Sequence, residues 1–306
     1  MRFAISIPQH FPDGEFDPAE MRGYLARAEE LGFASAWTQE QVLGTIPHLG
    51  PVETLTYAAA CTERMRLGCA VLITSLHGPV HLAKSLSTLD QLSRGRVEVG
   101  IGTGGRNRMF SAFGVDPESF VARFNEGLRL MRALWTEPRV DFDGRFWQLR
   151  GAAMEPKPFQ KPGPRIWFGG SHPAALARAV RHGDGFFGAG STTTEQFAKQ
   201  VQIVRDELAD QGRDRAGFPI AKRVYIAVDD DAERARDRMR AALDRIYGFF
   251  GRGDMTPVSV LGTADACARG LRDVADAGAE LILLNPLFDD AEQMERLAAE
   301  VMPQLS

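Results

Sequence analysis

Short apolar runs alternate with amphipathic helical stretches along the whole chain, and this alternation is the strongest limit on its fold. Ala4–Ile7, Ser35–Thr38, Leu67–Ile73, Val97–Ile101, Arg165–Phe168, Gly185–Phe187, Val224–Val228 and Leu281–Leu284 read as eight strands. Continuous apolar runs of this length suit parallel strands covered on both faces. Helical spacing follows each strand. Met21, Leu25, Ala28 and Leu31 stripe a helix that opens at Asp17-Pro18 and ends at Gly32. Phe124, Leu128, Met131 and Trp135 stripe the fourth helix, and Met294, Leu297, Ala298 and Val301 the last. Eight strand–helix units make an α/β fold, either a closed (β/α)8 TIM barrel or an open doubly wound sheet. No unit reads as an edge strand, which favours the barrel. The 306 residues fit one domain spanning 1–306.

Residues 138–164 break the rhythm. Val140 to Leu149 reads as a hairpin turning at Asp143-Gly144. Pro138, Pro156, Pro158, Pro162 and Pro164 then stiffen a connector. The segment is an insertion between helix four and strand five. Residues 248–262 are Gly-rich and read as mobile.

Composition narrows the function classes. With 44% hydrophobic and 25% charged residues the chain can bury a sizeable core. A formal net charge of −4 argues against nucleic acid as a partner, since phosphate binding needs a Lys/Arg surplus. The N-terminal apolar run stops at Pro8, too short for a signal peptide, and no run approaches the ~20 apolar residues of a membrane helix. Cys61, Cys69 and Cys267 form no metal-type cluster and read as core thiols of a cytoplasmic protein. The expected partner is a small-molecule substrate, with no nucleic acid and no membrane.

Active sites of barrels lie at the C-terminal ends of the strands. Three of those ends are Gly-rich: Gly102-Thr103-Gly104-Gly105, Gly169-Gly170-Ser171-His172 and Gly188-Ala189-Gly190-Ser191. Glycine lets backbone N–H groups form concave anion nests. Ser171 or His172 would cap a helix whose start, at Pro173, is a ready phosphate site. Gln9 and His10 follow strand one, and Gln39 and Glu40 end strand two, so all four would face the mouth. Glu40 is a candidate general acid or base and His10 a candidate proton donor. Glu98, inside strand four, reads as a buried ion pair. His77 and His81 lack a third ligand, and no metal site is expected.

Taken together these segments resemble the luciferase-like monooxygenase superfamily of barrels that bind flavin mononucleotide or its deazaflavin analogue. The resemblance rests on Leu67-Gly68-Cys69-Ala70-Val71, Asp90-Gln91-Leu92-Ser93-Arg94-Gly95-Arg96-Val97, Gly100-Ile101-Gly102-Thr103-Gly104 and Met131-Arg132-Ala133-Leu134-Trp135. It continues in Phe142-Asp143-Gly144-Arg145-Phe146-Trp147, Pro164-Arg165-Ile166-Trp167-Phe168-Gly169-Gly170 and Gly183-Asp184-Gly185-Phe186. The hairpin, the Pro-rich insertion and the strand-five signature point to the group using deazaflavin, coenzyme F420.

That resemblance implies roles for particular residues. Ala70 and Val71 match the pair joined by a non-proline cis peptide that backs the cofactor ring in deazaflavin members. Gly102, Thr103 and Gly104 match a cofactor-lining loop, with Gln39 and Asn107 as further cofactor contacts. Gly169, Gly170, Ser171 and His172, with Gly188, Ala189, Gly190 and Ser191, match the region holding the phosphate tail. Some sugar-phosphate dehydrogenases of the group carry Asp-His at the end of strand two and a Glu after the strand-four glycines. Gln39-Glu40 and Gly105 stand at those positions here, so that substrate and its proton chemistry do not carry over. The resemblance implies an F420-dependent oxidoreductase and a homodimer. The alternatives are an FMNH2-dependent monooxygenase using oxygen and a non-catalytic cofactor-binding barrel.

Overall fold

The computed structural model describes residues 1–11, 15–104, 108–248, 251 and 253–305, with only the backbone of 108–109. The elements run β1 (Arg2–Ser6), α1 (Pro18–Glu30), β2 (Ser35–Thr38), α2 (Pro51–Cys61), β3 (Arg66–Ile73), α3 (Pro79–Leu92), β4 (Val97–Gly102) and α4 (Phe120–Thr136). They continue as β5 (Val140–Asp143), β6 (Gln148–Ala152), β7 (Arg165–Gly169), α5 (Pro173–His182), β8 (Gly185–Gly188) and α6 (Thr194–Asp210). The last are β9 (Ile220–Val228), α7 (Ala232–Tyr247), β10 (Val260–Gly262), α8 (Ala264–Asp276), β11 (Leu281–Asn285) and α9 (Asp290–Arg296).

Eight parallel strands close a ring in the order β1-β2-β3-β4-β7-β8-β9-β11, and β11 pairs back onto β1. The ring is the eight-stranded TIM-type barrel expected from the alternation. Helix starts follow local chemistry. Asp17 Oδ1 accepts from Ala19 N at 2.7 Å ahead of Pro18. Thr193 and Gln196 form a reciprocal capping box on α6.

The lower barrel interior is an aromatic plug. Trp37, Trp167 and Phe187 are all buried, with ring centroids 4.7–6.2 Å apart. Ala4, Ala221, Leu281 and Leu283 complete the layer. Truncating either Trp would cost about 3–5 kcal/mol. Glu98 is buried beneath the plug, where its carboxylate accepts from Trp167 Nε1 at 2.5 Å and pairs with Arg66. This is the buried ion pair the sequence suggested. Cys69 and Cys267 are buried, Cys61 half-buried, and all three are free thiols.

Strand and loop boundaries differ from the sequence reading at two places, β9 and the segment 248–262, while the hairpin is found where it was expected. β9 begins at Ile220, four residues early, because Lys222 and Arg223 interrupt the apolar pattern although both lie on the strand. The segment read as mobile carries β10, which pairs with the end of β9 outside the ring. The hairpin is β5 paired with β6, closed by Gly144 N donating to Trp147 O at 3.0 Å. The buried Glu126 of α4 anchors it, accepting from Arg145 N, Phe146 N and Trp147 N at 2.8–3.1 Å. Among the described residues no helix is long and apolar enough to cross a membrane.

Candidate active site

Strand side chains alternate between faces. Two residues beyond the last plug residue of five strands, the inward positions become small or polar: Gln39 after Trp37, Gly169 after Trp167, Ala189 after Phe187, Arg223 after Ala221 and Asn285 after Leu283. The barrel therefore opens above its plug into a cup. On β3 the register to β4 shifts between Cys69 and Leu72, and the Ala70–Val71 peptide is cis, as the resemblance implied. The bulge turns Val71 across the cup. A Cβ at Gly102 would sit 2.9 Å from Val71 Cγ2, and one at Gly169 would sit 2.9 Å from Val71 Cγ1.

β4, β7 and β8 are neighbours, so their three glycine turns are contiguous along one wall. These glycines, expected to bind an anion, have a second reason in packing at several positions. Gly188 faces the Phe197 ring, and a Cβ at Gly190 would sit 2.8 Å from Arg223 Nε. Gly104 takes φ +68°, a conformation L-residues rarely adopt. Thr103 Oγ1 donates to Gly104 O at 3.0 Å, and Thr103 O accepts from Ser75 Oγ at 3.0 Å. His172 caps α5, its Nδ1 accepting from Ala174 N at 3.2 Å, and Ser171 beside it is exposed. Gly105 and Asn107 lie outside the described residues.

Lys222 of β9 was not singled out by sequence. It is buried, and its ammonium donates to Thr192 O and Thr192 Oγ1 at 2.9 Å each and to Ala189 O. Burial, then the charge of Arg223, pulls it down to about 7. It fastens the β8 turn from below.

Of the four residues expected to face the mouth, Gln9, His10 and Gln39 line one cavity and Glu40 is turned away from it. Gln9 is buried and clamps the end of β2, accepting from Gln39 N at 2.6 Å and donating to Gln39 O at 3.1 Å. Glu40 turns toward the end of β3. One carboxylate oxygen accepts from Ile73 N at 2.5 Å and the other lies 2.6 Å from His77 Nε2. His10 Nδ1 lies 3.0 Å from His48 Nδ1, and burial, then His48, lowers the His10 pKa to about 4. The His10 ring is uncharged at neutral pH. Gln39 does reach the cup, where its Nε2 donates to Asn285 Oδ1 at 3.1 Å.

A hydrogen-bond chain crosses the wall opposite the glycines. Arg223 Nη2 donates to Tyr225 OH at 3.1 Å, Tyr225 OH to Tyr247 OH at 2.8 Å, and Tyr247 OH to Gln39 Oε1 at 3.2 Å. A cavity of about 440 Å³ adjoins it, lined by Gln39, Asn285 and His10 and roofed by Ala241, Ala242 and Ile246 of α7. Sequence reasoning missed His77, Arg223, Tyr247 and Asn285. The available signals were adjacent cations within an apolar strand, and an Asn closing the Leu281–Leu284 run.

Comparison with known proteins places this geometry among redox barrels. The F420-dependent glucose-6-phosphate dehydrogenase of Intrasporangium calvum is 31% identical over 323 aligned residues, covering 95% of this chain and 96% of the relative. A phthiodiolone/phenolphthiodiolone dimycocerosates ketoreductase of a Mycobacterium species is 30% identical over 63% of this chain, which spans about half (51%) of that relative. Among solved structures, the monooxygenase RslO1 from Streptomyces bottropensis superposes over the full length of both chains with a TM-score of 0.84 at 27% identity. The sequence profile of luciferase-like monooxygenases matches residues 1–281, and the chain belongs to the luciferase-like monooxygenase family.

Proposed function

We propose that this protein is a coenzyme F420-dependent oxidoreductase that moves a hydride between the deazaflavin and a small organic substrate. One observation carries the reading. The Val71 side chain lies against Gly102 and Gly169, so one wall of the cup is a low apolar surface, a single isopropyl group over two glycines, beside a bulged strand. A flat ring fits against such a wall, and a relative aligned over 95% of the chain is named F420-dependent.

Ala70 and Val71 would back the ring, with Gln39, Gly102, Thr103 and Gly104 at its edges. Gly169, Gly170, Ser171 and His172, with Gly188, Ala189, Gly190 and Ser191, would turn backbone N–H groups to the phosphate tail. The bound deazaflavin supplies the hydride-carrying carbon. The chain's own residues orient the reactants, which is the larger contribution. His77, paired to Glu40, holds the proton for the acid–base step. The uncharged His10 accepts hydrogen bonds at the mouth. The sugar phosphate in the relative's name is not part of the proposal, because Gln39-Glu40 replaces the Asp-His of that group. The proposal extends to a cytoplasmic homodimer built from one 1–306 domain, which sedimentation and a single unfolding transition test.

The experiment is a titration of the purified protein with F420 and with FMN, followed by fluorescence. Oxygen uptake is then measured with each reduced cofactor. Saturable F420 binding without oxygen consumption supports the reading. The full-length similarity to the monooxygenase RslO1, with a Pseudomonas putida relative named an FMNH2-dependent dimethylsulfone monooxygenase, favours a second one, a monooxygenase using reduced FMN and oxygen. Tight FMN binding with oxygen uptake and no F420 affinity would establish it instead. Binding of either cofactor with no turnover across a broad substrate screen would leave a carrier barrel.

A further inference from the structure

The proposed hydride transfer leaves one charged group of the cup without a task. Arg223 is a permanent cation on the inner face of β9. Its Nε is buried with no hydrogen-bond partner, and its Nη2 reaches only the phenol of Tyr225. Among the described residues no carboxylate pairs with it. At the far end of the same chain Asn285, itself 1% exposed, has its Oδ1 taken by Gln39 and its Nδ2 buried without a partner. Every bond between these ends runs in one direction, from Arg223 through Tyr225, Tyr247 and Gln39 to Asn285. The network thus ends in unmatched N–H donors at both ends and carries one uncompensated positive charge. Buried donors are normally matched, so it lacks acceptors.

The position of the network indicates what should supply them. β9, β11 and β2 form the polar half of the cup, facing the glycine half on β4, β7 and β8. Gln39 and Asn285 open onto the 440 Å³ cavity, a volume suited to a small molecule. Asp289 and Asp290 line another part of that cavity, Asp289 paired with Arg238 at 2.6 Å.

We propose that Arg223 and Asn285 together seat an anionic oxygen group of the carboxylate class on the substrate. Arg223 provides the charge and the Asn285 amide sets the orientation. Only the word substrate rests on the oxidoreductase reading, since the seat belongs to the apoprotein. The same chemistry has a second source, the phosphate tail of the cofactor, because Gly190 of the β8 turn lies against Arg223 Nε.

The test uses the full chain without cofactor, with benzoate, its neutral isostere benzamide, and inorganic phosphate as probes in calorimetry at fixed ionic strength. Wild type, Arg223→Gln and Asn285→Asp are compared, and F420 affinity is measured separately on each. Asn285→Asp puts a negative charge at the amide end of the network and keeps an acceptor for Gln39, so it repels an anion from the seat even where Arg223→Gln fails to fold. Benzoate is expected to bind wild type at least about tenfold more tightly than benzamide, and both variants lose that preference while F420 affinity stays within about threefold. Equal binding of benzoate and benzamide to wild type overturns the proposal. So does a preference for phosphate together with a tenfold loss of F420 affinity in Arg223→Gln, which assigns the charge to the cofactor's tail. A retained benzoate preference with no F420 binding to wild type sinks the cofactor reading alone.

Discussion

His77 Nε2 lies 2.6 Å from Glu40 Oε1, which joins the end of β2 to the loop after β3 across the bulged strand. The Glu40 side chain is 1% exposed and the His77 side chain 29%. Burial opposes a charged His77. The hydrogen bond and charge of Glu40, with Glu53 behind, outweigh it and hold the His77 pKa above its ordinary value. A raised folded pKa means stabilisation that is complete below about pH 6.5, the unfolded value, and lost as pH rises through the folded one. Glu40→Gln should lower stability at pH 6 by about 2 kcal/mol and flatten the loss above pH 6.5. Urea unfolding across this range measures both, and an unchanged slope would show that the pair is not linked to folding.

The same pair gives a kinetic expectation. His77→Asn keeps a polar side chain but cannot carry a proton. It should lower kcat by about 100-fold and remove one limb of the pH–rate profile, with F420 affinity unchanged. A variant with a lower kcat and an intact profile would assign His77 to structure alone.

His10 and His48 have the opposite sign. Burial lowers both, His10 to about 4 with His48 adding to the shift. Between pH 6.5 and 4 the unfolded chain binds the His10 proton and the folded chain does not, so stability falls on acidification. After discounting for partial exposure the effect is about 2 kcal/mol at pH 4. His10→Asn should be more acid-resistant than wild type by that amount, measured as the shift of the thermal midpoint from pH 7 to pH 4.

Val71 and Gly169 couple across the cup. Gly169→Ala places a methyl 2.9 Å from Val71 Cγ1 and should cost about 1–3 kcal/mol. Val71→Ala removes the obstruction, so the double variant should recover most of that loss. A double-mutant cycle on unfolding free energies gives the coupling directly. Additive costs would mean that the two side chains relax independently.

The barrel was legible because its signal is repetitive. Eight apolar runs with helical spacing between them leave few topologies, and the Asp17, His172 and Thr193 helix starts follow short-range chemistry. The bulge at Ala70–Val71 was reached only through resemblance, since nothing in Cys69-Ala70-Val71-Leu72 alone announces a register shift. The polar half of the cup was not legible, for a physical reason. Its members lie far apart in sequence, and Lys222-Arg223 looks like the solvated start of a strand. Closure of the ring brings Gln39 beside Asn285, 246 residues away, and sequence spacing carries no trace of that contact. Glu40 was picked as a candidate acid or base, but its partner His77 was read only against His81.

Lys222 offers the sharpest separation between holding the cofactor and holding the fold. Its three donors meet Ala189 O, Thr192 O and Thr192 Oγ1, so the ammonium fixes the turn proposed to carry the phosphate tail without itself facing that turn's outer surface. Lys222→Met removes these three bonds, leaving Ala189 O only its bonds from Thr192, and should cost about 1–3 kcal/mol of stability. It should also weaken F420 by about tenfold, because the turn's N–H groups lose their fixed direction. In wild type the amine drawn down to about 7 has two hydrogens left for three acceptors once deprotonated. F420 affinity should therefore decline as pH rises from 6.5 to 8.5, and Lys222→Met should abolish that decline. Affinity titrations at four pH values decide the point. A wild-type affinity that is flat with pH, or a Lys222→Met variant that still weakens in alkali, would remove Lys222 from the cofactor site.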